Sequence, residues 1–168
     1  MAAGTFVPVE QYLSAGYQPD REYIEGEIRE RNTGGLKDGA LRARLAGILQ
    51  AWQDQMQVDV LLQKRLRIAP ERFRVPDICV IRRDSVTGQA SSAPIVCIDV
   101  LSTEDSVEEM TERARDYLDM GVAHVWVLDP FSKQAYEFGP AGLNEVTTGS
   151  LAAPALRLDI LLTELFVE

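Results

Sequence analysis

The chain has 168 residues, 46% hydrophobic and 26% charged, the profile of one ordinary globular domain over residues 1–168 that can fold without covalent staples. Seventeen basic residues against 26 acidic ones give a net charge of −9, which argues against a nonspecific nucleic-acid coat protein. No apolar run approaches the ~20 residues that span a bilayer, the first ten residues lack a signal-peptide pattern, and two cysteines, Cys79 and Cys97, are too few for a disulfide framework, so the expected location is the cytoplasm.

In chain order, residues 9–15 read as a short helix ended by Gly16, and Gln18-Pro19-Asp20 as a turn. Tyr23 to Arg31 alternates weakly and reads as one strand bent at Gly26, followed by a loop at Asn32-Thr33-Gly34-Gly35. From Lys37 to Met56, Leu41, Leu45, Ile48, Leu49, Trp52 and Met56 fall on one helical face, with Asp38 as a plausible N-cap. Val58–Ile68 and Phe73–Ile81 read as two strands joined by a hairpin loop at residues 69–72. Residues 84–94 are polar and read as a loop.

Residues 95–101 form a nearly continuous apolar run, which suits a strand covered on both faces. A helix over 106–120 follows, capped from Ser102 to Asp105 and stopped by Gly121, with the stripe Val107, Met110, Ala114, Tyr117 and Leu118. His124 to Leu128 is a second buried strand. Strand, helix and strand over 95–128 make a βαβ unit with a parallel pair. Short strands at 134–139 and 143–148 and a Leu-rich tail at 156–166 complete the chain. The fold class is therefore α/β, a mixed sheet in which an antiparallel hairpin feeds a parallel unit, flanked by helices.

Charge is unevenly spread. Residues 64–83 carry seven basic side chains against two acids, including Lys64, Arg65, Arg67, Arg72 and Arg74. Residues 99–129 carry nine acids against two arginines. The basic stretch can serve as a phosphate-contacting surface or as a solvated hairpin edge guarded by charge.

Several chemistries are missing. The single histidine, His124, lies in an apolar strand and reads as a packing residue. There is no Gly-x-Ser-x-Gly elbow, no phosphate-binding Gly-rich loop with a following Lys-Ser or Lys-Thr, and no Cys-x-x-Cys. What remains is carboxylate chemistry. Asp77 follows Pro76 at a strand start, and Asp99 lies near the end of the next strand. Side chains alternate along a strand, so Asp77 shares a face with Cys79 and Asp99 with Cys97. If both cysteines enter the core, both acids point to that same covered face and can converge on one hard cation, Mg²⁺ or Mn²⁺. The plainer alternative is that Asp77 bonds a turn and Asp99 caps the following helix.

Arg74-Val75-Pro76-Asp77-Ile78-Cys79-Val80 and Ile98-Asp99-Val100-Leu101-Ser102 resemble two core motifs of the Uma-type family of bacterial restriction endonuclease-like proteins, within the PD-(D/E)XK nuclease superfamily. Tyr23-Ile24-Glu25-Gly26-Glu27, residues 113–122, residues 125–130 and Leu162–Phe166 are also similar, so the resemblance covers roughly residues 9–166. It implies a restriction-endonuclease-like core and a Mg²⁺- or Mn²⁺-dependent DNA endonuclease site. In that site Asp77 is the Asp of the Pro-Asp motif, Asp99 stands where the family usually has Glu, and Arg113 stands where it usually has Lys. Glu27 matches a further family acid, and Asp38 falls at a usual His. Asp99 reaches one methylene less far than Glu, and Arg113 keeps the positive charge but cannot act as a base at neutral pH. These departures motivate the alternative of an inactive nuclease-fold protein that binds nucleic acid or a protein partner. By analogy with the fold class, a homodimer with two sites for two strands is plausible.

Overall fold

A computed structural model of the chain describes residues 5–31, 34–83 and 93–167. A six-stranded sheet forms its centre. In chain order the strands are β3 (Val58–Leu62), β6 (Ile78–Arg82), β7 (Val96–Val100), β8 (His124–Asp129), β9 (Gln134–Gly139) and β10 (Gly142–Glu145), and this is also their spatial order. Only β7 and β8 run parallel, joined by helix α3 (Val107–Met120); every other neighbour is antiparallel.

Alternation sorts the side chains of the central strands. Ile78, Val80, Val96, Ile98 and Val100 enter a core with Leu41, Leu45 and Leu49 of helix α2 (Leu36–Met56). Strands β11 (Ser150–Ala153) and β12 (Leu158–Leu161), with helix α4 (Leu162–Leu165), extend that core. Cys79, Cys97 and Val125 point the other way, against Ala114 and Tyr117 of α3. Sheet faces covered on both sides explain why β7 is buried at all five positions. Helix α3 begins at Ser106, whose hydroxyl accepts the Glu109 amide at 3.1 Å. It ends at Gly121 with φ of 102°, where the Val122 amide returns to the Tyr117 carbonyl at 3.1 Å.

A second sheet orders β2 (Glu27–Glu30), β1 (Arg21–Ile24), β5 (Arg72–Arg74) and β4 (Leu66–Ala69), all antiparallel. Helix α1 (Val9–Ser14) covers it, with Tyr12, Tyr23 and Phe73 in a small aromatic core.

Three expectations are refined. The strand expected over 23–31 is a hairpin, because Glu25 and Gly26 both take positive φ, as tight hairpin turns require. A side chain at Gly26 would also strike the Phe6 ring. The strands expected over 58–68 and 73–81 each break in two, at Gln63, which takes positive φ, and at Val75-Pro76-Asp77, where Pro76 has no amide to donate. One ribbon thus passes from the large sheet to the small one, and its second break sets Asp77 at the junction. Asp38 lies in the third position of α2 rather than at the cap; its carboxylate reaches back to the Gly35 amide at 2.7 Å. The loop expected over 84–94 falls mostly outside the described residues, as does half of the one at 32–35.

Candidate functional site

The β6–β7 register pairs Ile78 with Ile98 and Cys79 with Cys97, so one step further places Asp77 opposite Asp99. Both acids are buried on the face that the two cysteines share, as alternation requires. The Asp77 amide donates to Asp99 Oδ1 at 3.1 Å, and the Val100 amide donates to Asp77 Oδ2 at 2.8 Å. The plainer alternative for Asp99 does not hold, since Ser106 caps α3.

Guanidinium groups surround this pair. Arg31, just past β2, reaches Asp77 Oδ1 at 3.4 Å and Asp99 Oδ1 at 3.5 Å. Arg113 of α3 reaches Asp99 Oδ2 at 3.6 Å, and Arg42 of α2 reaches Asp77 Oδ1 at 3.9 Å. The Tyr117 hydroxyl donates to Asp99 Oδ2 at 3.2 Å. Arg113 does not pair with Glu109 along its helix; its Nε faces Glu22 Oε1 at 3.5 Å.

From Glu22 a second set of ion pairs runs outward. Arg74 Nη1 meets Glu22 at 3.1 Å, its Nε meets Asp116 at 2.6 Å and its Nη2 meets Glu112 at 3.0 Å. Arg72 joins the same two acids of α3 at 2.8 and 2.9 Å. The two sets differ in tightness. Outer contacts fall in the charge-assisted range, whereas the inner guanidinium groups stand back from Asp77 and Asp99. Backbone amides, not arginines, hold the central carboxylates in place.

The two acids titrate in opposite directions. Burial pushes the Asp77 carboxyl up, to about 6, and Arg31 offsets only part of the rise. Burial acts on Asp99 as well, but Arg31, Arg113, the Asp77 amide and the Tyr117 hydroxyl together hold it below the usual carboxylate value. Asp77 and Asp99 in turn keep Arg31 protonated despite its burial.

The structure therefore gathers Asp77, Asp99 and Arg113 in one buried centre. Glu27 sits elsewhere, on the exposed side of β2 with Arg29 at 3.4 Å, at the rim of a cleft of about 780 Å³ that Arg113 also lines. Of the basic stretch, Lys64, Arg67 and Arg82 are exposed. Arg74 is buried in the ion-pair chain and Arg72 is tied to Glu112 and Asp116. Arg65 is bound to Asp20 at 2.7 Å and lies over the Tyr12 ring. Arg65, Arg72 and Arg74, expected to face phosphate, each pair with internal acids. His124 packs near Trp126 and contacts Glu137 at 3.3 Å. Sequence reading passed over Arg31, Arg42, Glu22 and Tyr117. Only Tyr117 carried a signal, as the fourth member of the α3 stripe.

Two carboxylates on adjacent strands suit a hard cation. Among the described residues no group of three or more His, Cys, Asp or Glu gathers around one point. Mg²⁺, however, is commonly held by one or two carboxylates, with water and substrate phosphates completing its shell. Asp77 and Asp99 fit that pattern, and the groups that would yield to the ion are the loosely placed guanidinium groups.

Comparison with known proteins bears on the fold and the family. A crystal structure described as that of "a putative nuclease belonging to DUF820", from Anabaena variabilis, superposes with a TM-score of 0.82, covering 95% of this chain and 97% of that one. At 20% identity this likeness shows a shared fold. No curated protein matches the chain. The model of the Uma2 family, described as "Putative restriction endonuclease", matches residues 9–161, so the chain belongs to the Uma2 family.

Proposed function

We propose that this protein hydrolyses phosphodiester bonds of DNA as an endonuclease that uses Mg²⁺ or Mn²⁺, acting in the cytoplasm. The observation that carries the reading is the Asp77–Asp99 pair, locked face to face by its own backbone amides and ringed by guanidinium groups. Asp77 and Asp99 would hold the ion. When bound, it would polarise a phosphoryl oxygen and make a water molecule more acidic. Arg113 and Arg31 are the chain's own charge-stabilising groups for the phosphoryl oxygens, and neither can take a proton from water at neutral pH. Tyr117 orients Asp99 through its hydroxyl. Lys64, Arg67 and Arg82, exposed residues of the basic stretch, are available to the DNA backbone.

One observation favours a second reading. Arg31 bridges both carboxylates, as an internal cation would, which fits a nuclease-fold protein that binds nucleic acid without cutting it. Supercoiled plasmid incubated with Mg²⁺ or Mn²⁺ separates the two. Nicking or linearisation that disappears in Asp77→Asn supports the endonuclease. Retardation of the DNA on a gel with no cleavage supports the second reading. Cleavage that survives in Asp77→Asn removes the assigned centre.

A further inference from the structure

We propose that Arg31 is an exchangeable stand-in for the divalent ion: its guanidinium occupies the cation seat between Asp77 and Asp99 and must turn aside before the ion can bind. The proposal names a regulation of the centre and rests on the endonuclease reading of it.

The first argument is which oxygens are shared. Arg31 reaches Asp77 Oδ1 with one Nη at 3.4 Å and Asp99 Oδ1 with the other at 3.5 Å. The second oxygen of each acid is engaged by other groups. Asp77 Oδ2 accepts the Val100 amide, and Asp99 Oδ2 accepts the Tyr117 hydroxyl. The two Oδ1 atoms thus meet one common cation, and that cation is Arg31. Arg42 reaches Asp77 and Arg113 reaches Asp99, but Arg31 bridges the two acids. A hard ion held by this pair of carboxylates competes with Arg31 for the same place.

The second argument is how loosely Arg31 is held. Charge-assisted bonds run to roughly 2.7–2.9 Å, and Arg74 meets Asp116 at 2.6 Å. Both Arg31 contacts lie well outside that range. The Arg31 side chain is only 7% exposed, yet its Nε is a buried donor with no acceptor among the described residues. A buried arginine with a purely structural role has its donors met. Arg31 has one donor unmet and two on long contacts, so little holds it where it is.

The third argument is room to move. A cavity of about 170 Å³ adjoins Arg31 and Asp77, with Asp20 in its wall. That is ample for a guanidinium group, since one water takes about 30 Å³. Asp20 Oδ2 accepts the Arg65 Nε at 2.8 Å, and a carboxylate oxygen has lone pairs for two donors. Turning about its own side-chain bonds, Arg31 exchanges the central acids for Asp20. Because Asp77 also lines the cavity, the displaced charge stays beside the centre, where the endonuclease reading uses it.

The test titrates Mn²⁺ into the whole chain by calorimetry, with no DNA present. Arg31→Met should bind Mn²⁺ about tenfold or more tightly than wild type. Arg31→Lys, whose ammonium cannot bridge two acids, should fall between them. In Arg31→Ala, millimolar guanidinium ion should refill the seat and weaken Mn²⁺ binding, whereas sodium at equal ionic strength should not. Crystals of the wild-type protein grown with Mn²⁺ give the same answer if the variants misfold: Arg31 should be turned off both acids, toward Asp20. Equal affinity of wild type and Arg31→Met, or Arg31 still bridging the acids in the Mn²⁺-bound crystal, overturns the proposal and leaves the endonuclease reading standing. Tight binding by Arg31→Met with none by wild type also overturns it, since Arg31 is then a permanent replacement and not an exchangeable one. No Mn²⁺ binding by either protein fells the proposal together with the metal-dependent reading. Exchange of Arg31 for Mn²⁺ without plasmid cleavage leaves the stand-in in place and fells the endonuclease reading alone.

Discussion

The Asp77 amide donates to the Asp99 carboxylate at 3.1 Å, while the Asp77 carboxylate takes the amide of Val100, the residue after Asp99, at 2.8 Å. Each acid is therefore held by the strand that carries the other. This reciprocity follows from register: Pro76 ends one stretch of ladder, and β6 resumes one residue beyond Asp77. Two buried carboxylates placed in this way are costly without cations, which accounts for Arg31, Arg42 and Arg113 around them.

The same geometry leaves little room for a longer side chain at position 99. Asp99 is 5% exposed, with Tyr117 on one oxygen and Arg31 on the other. Asp99→Glu should therefore destabilise the fold, by about 1–3 kcal/mol, as overpacking of a filled interior does. Urea denaturation checks this; an unchanged midpoint would show that the centre has room to spare.

Arg74 is the hub of the outer ion-pair chain, with Glu22, Glu112 and Asp116 all within 3.1 Å. Its removal leaves Glu22 and Asp116 buried and short of their partner. Arg74→Met should cost about 3–5 kcal/mol. Adding Glu22→Gln should cost less in the Arg74→Met background than in the wild type, because the stranded charge is then gone. Additive losses in a double-mutant cycle would break the proposed coupling.

The pH dependence of stability separates the two central acids. The Asp77 carboxyl lies above its unfolded value of 3.8, at about 6. The native state then holds its proton more tightly, so the contribution is full below 3.8 and is lost as pH rises through about 6. Asp99 is lowered, so its contribution is present above 3.8 and fades as pH falls. Asp77→Asn should remove the first effect only. The stability of the variant relative to wild type should rise between pH 4 and pH 7, as read from urea midpoints at constant ionic strength. Parallel profiles would show that Asp77 does not titrate in this window.

Much of this was legible in the sequence. The apolar run at 95–101 and the helical stripe of α3 carry strong periodic signals, and alternation alone put Asp77 and Asp99 on the face of Cys79 and Cys97. The arginines were not legible in the same way. Arg31 lies 46 residues from Asp77 and 68 from Asp99 in sequence, and its role depends on the β1–β2 hairpin folding back at Gly26. Read as one bent strand, residues 23–31 carry Arg31 away from the centre. Glu22 was hidden for a related reason, since the alternation begins to show only at Tyr23. Net charge along the basic stretch does not reveal which of its arginines pair internally. Arg65 and Arg74 meet their acids only through the second sheet.

Arg113 carries the most exposed prediction. It is 6% exposed and shared between two acids, with Nη1 at 3.6 Å from Asp99 and Nε at 3.5 Å from Glu22. A guanidinium can span both carboxylates because its donors point in several directions; an ammonium on a shorter reach cannot. In Arg113→Lys, Glu22 keeps Arg74 at 3.1 Å and the Val75 amide at 2.8 Å, so it does not need the new side chain. The freed Asp99 then has one fewer cation competing with a divalent ion. Arg113→Lys should therefore bind Mn²⁺ more tightly in calorimetry and cut plasmid faster than wild type. Loss of cleavage with unchanged stability and Mn²⁺ affinity would mean instead that the guanidinium itself contacts the reacting phosphate, and that Arg113 is an adapted catalytic residue.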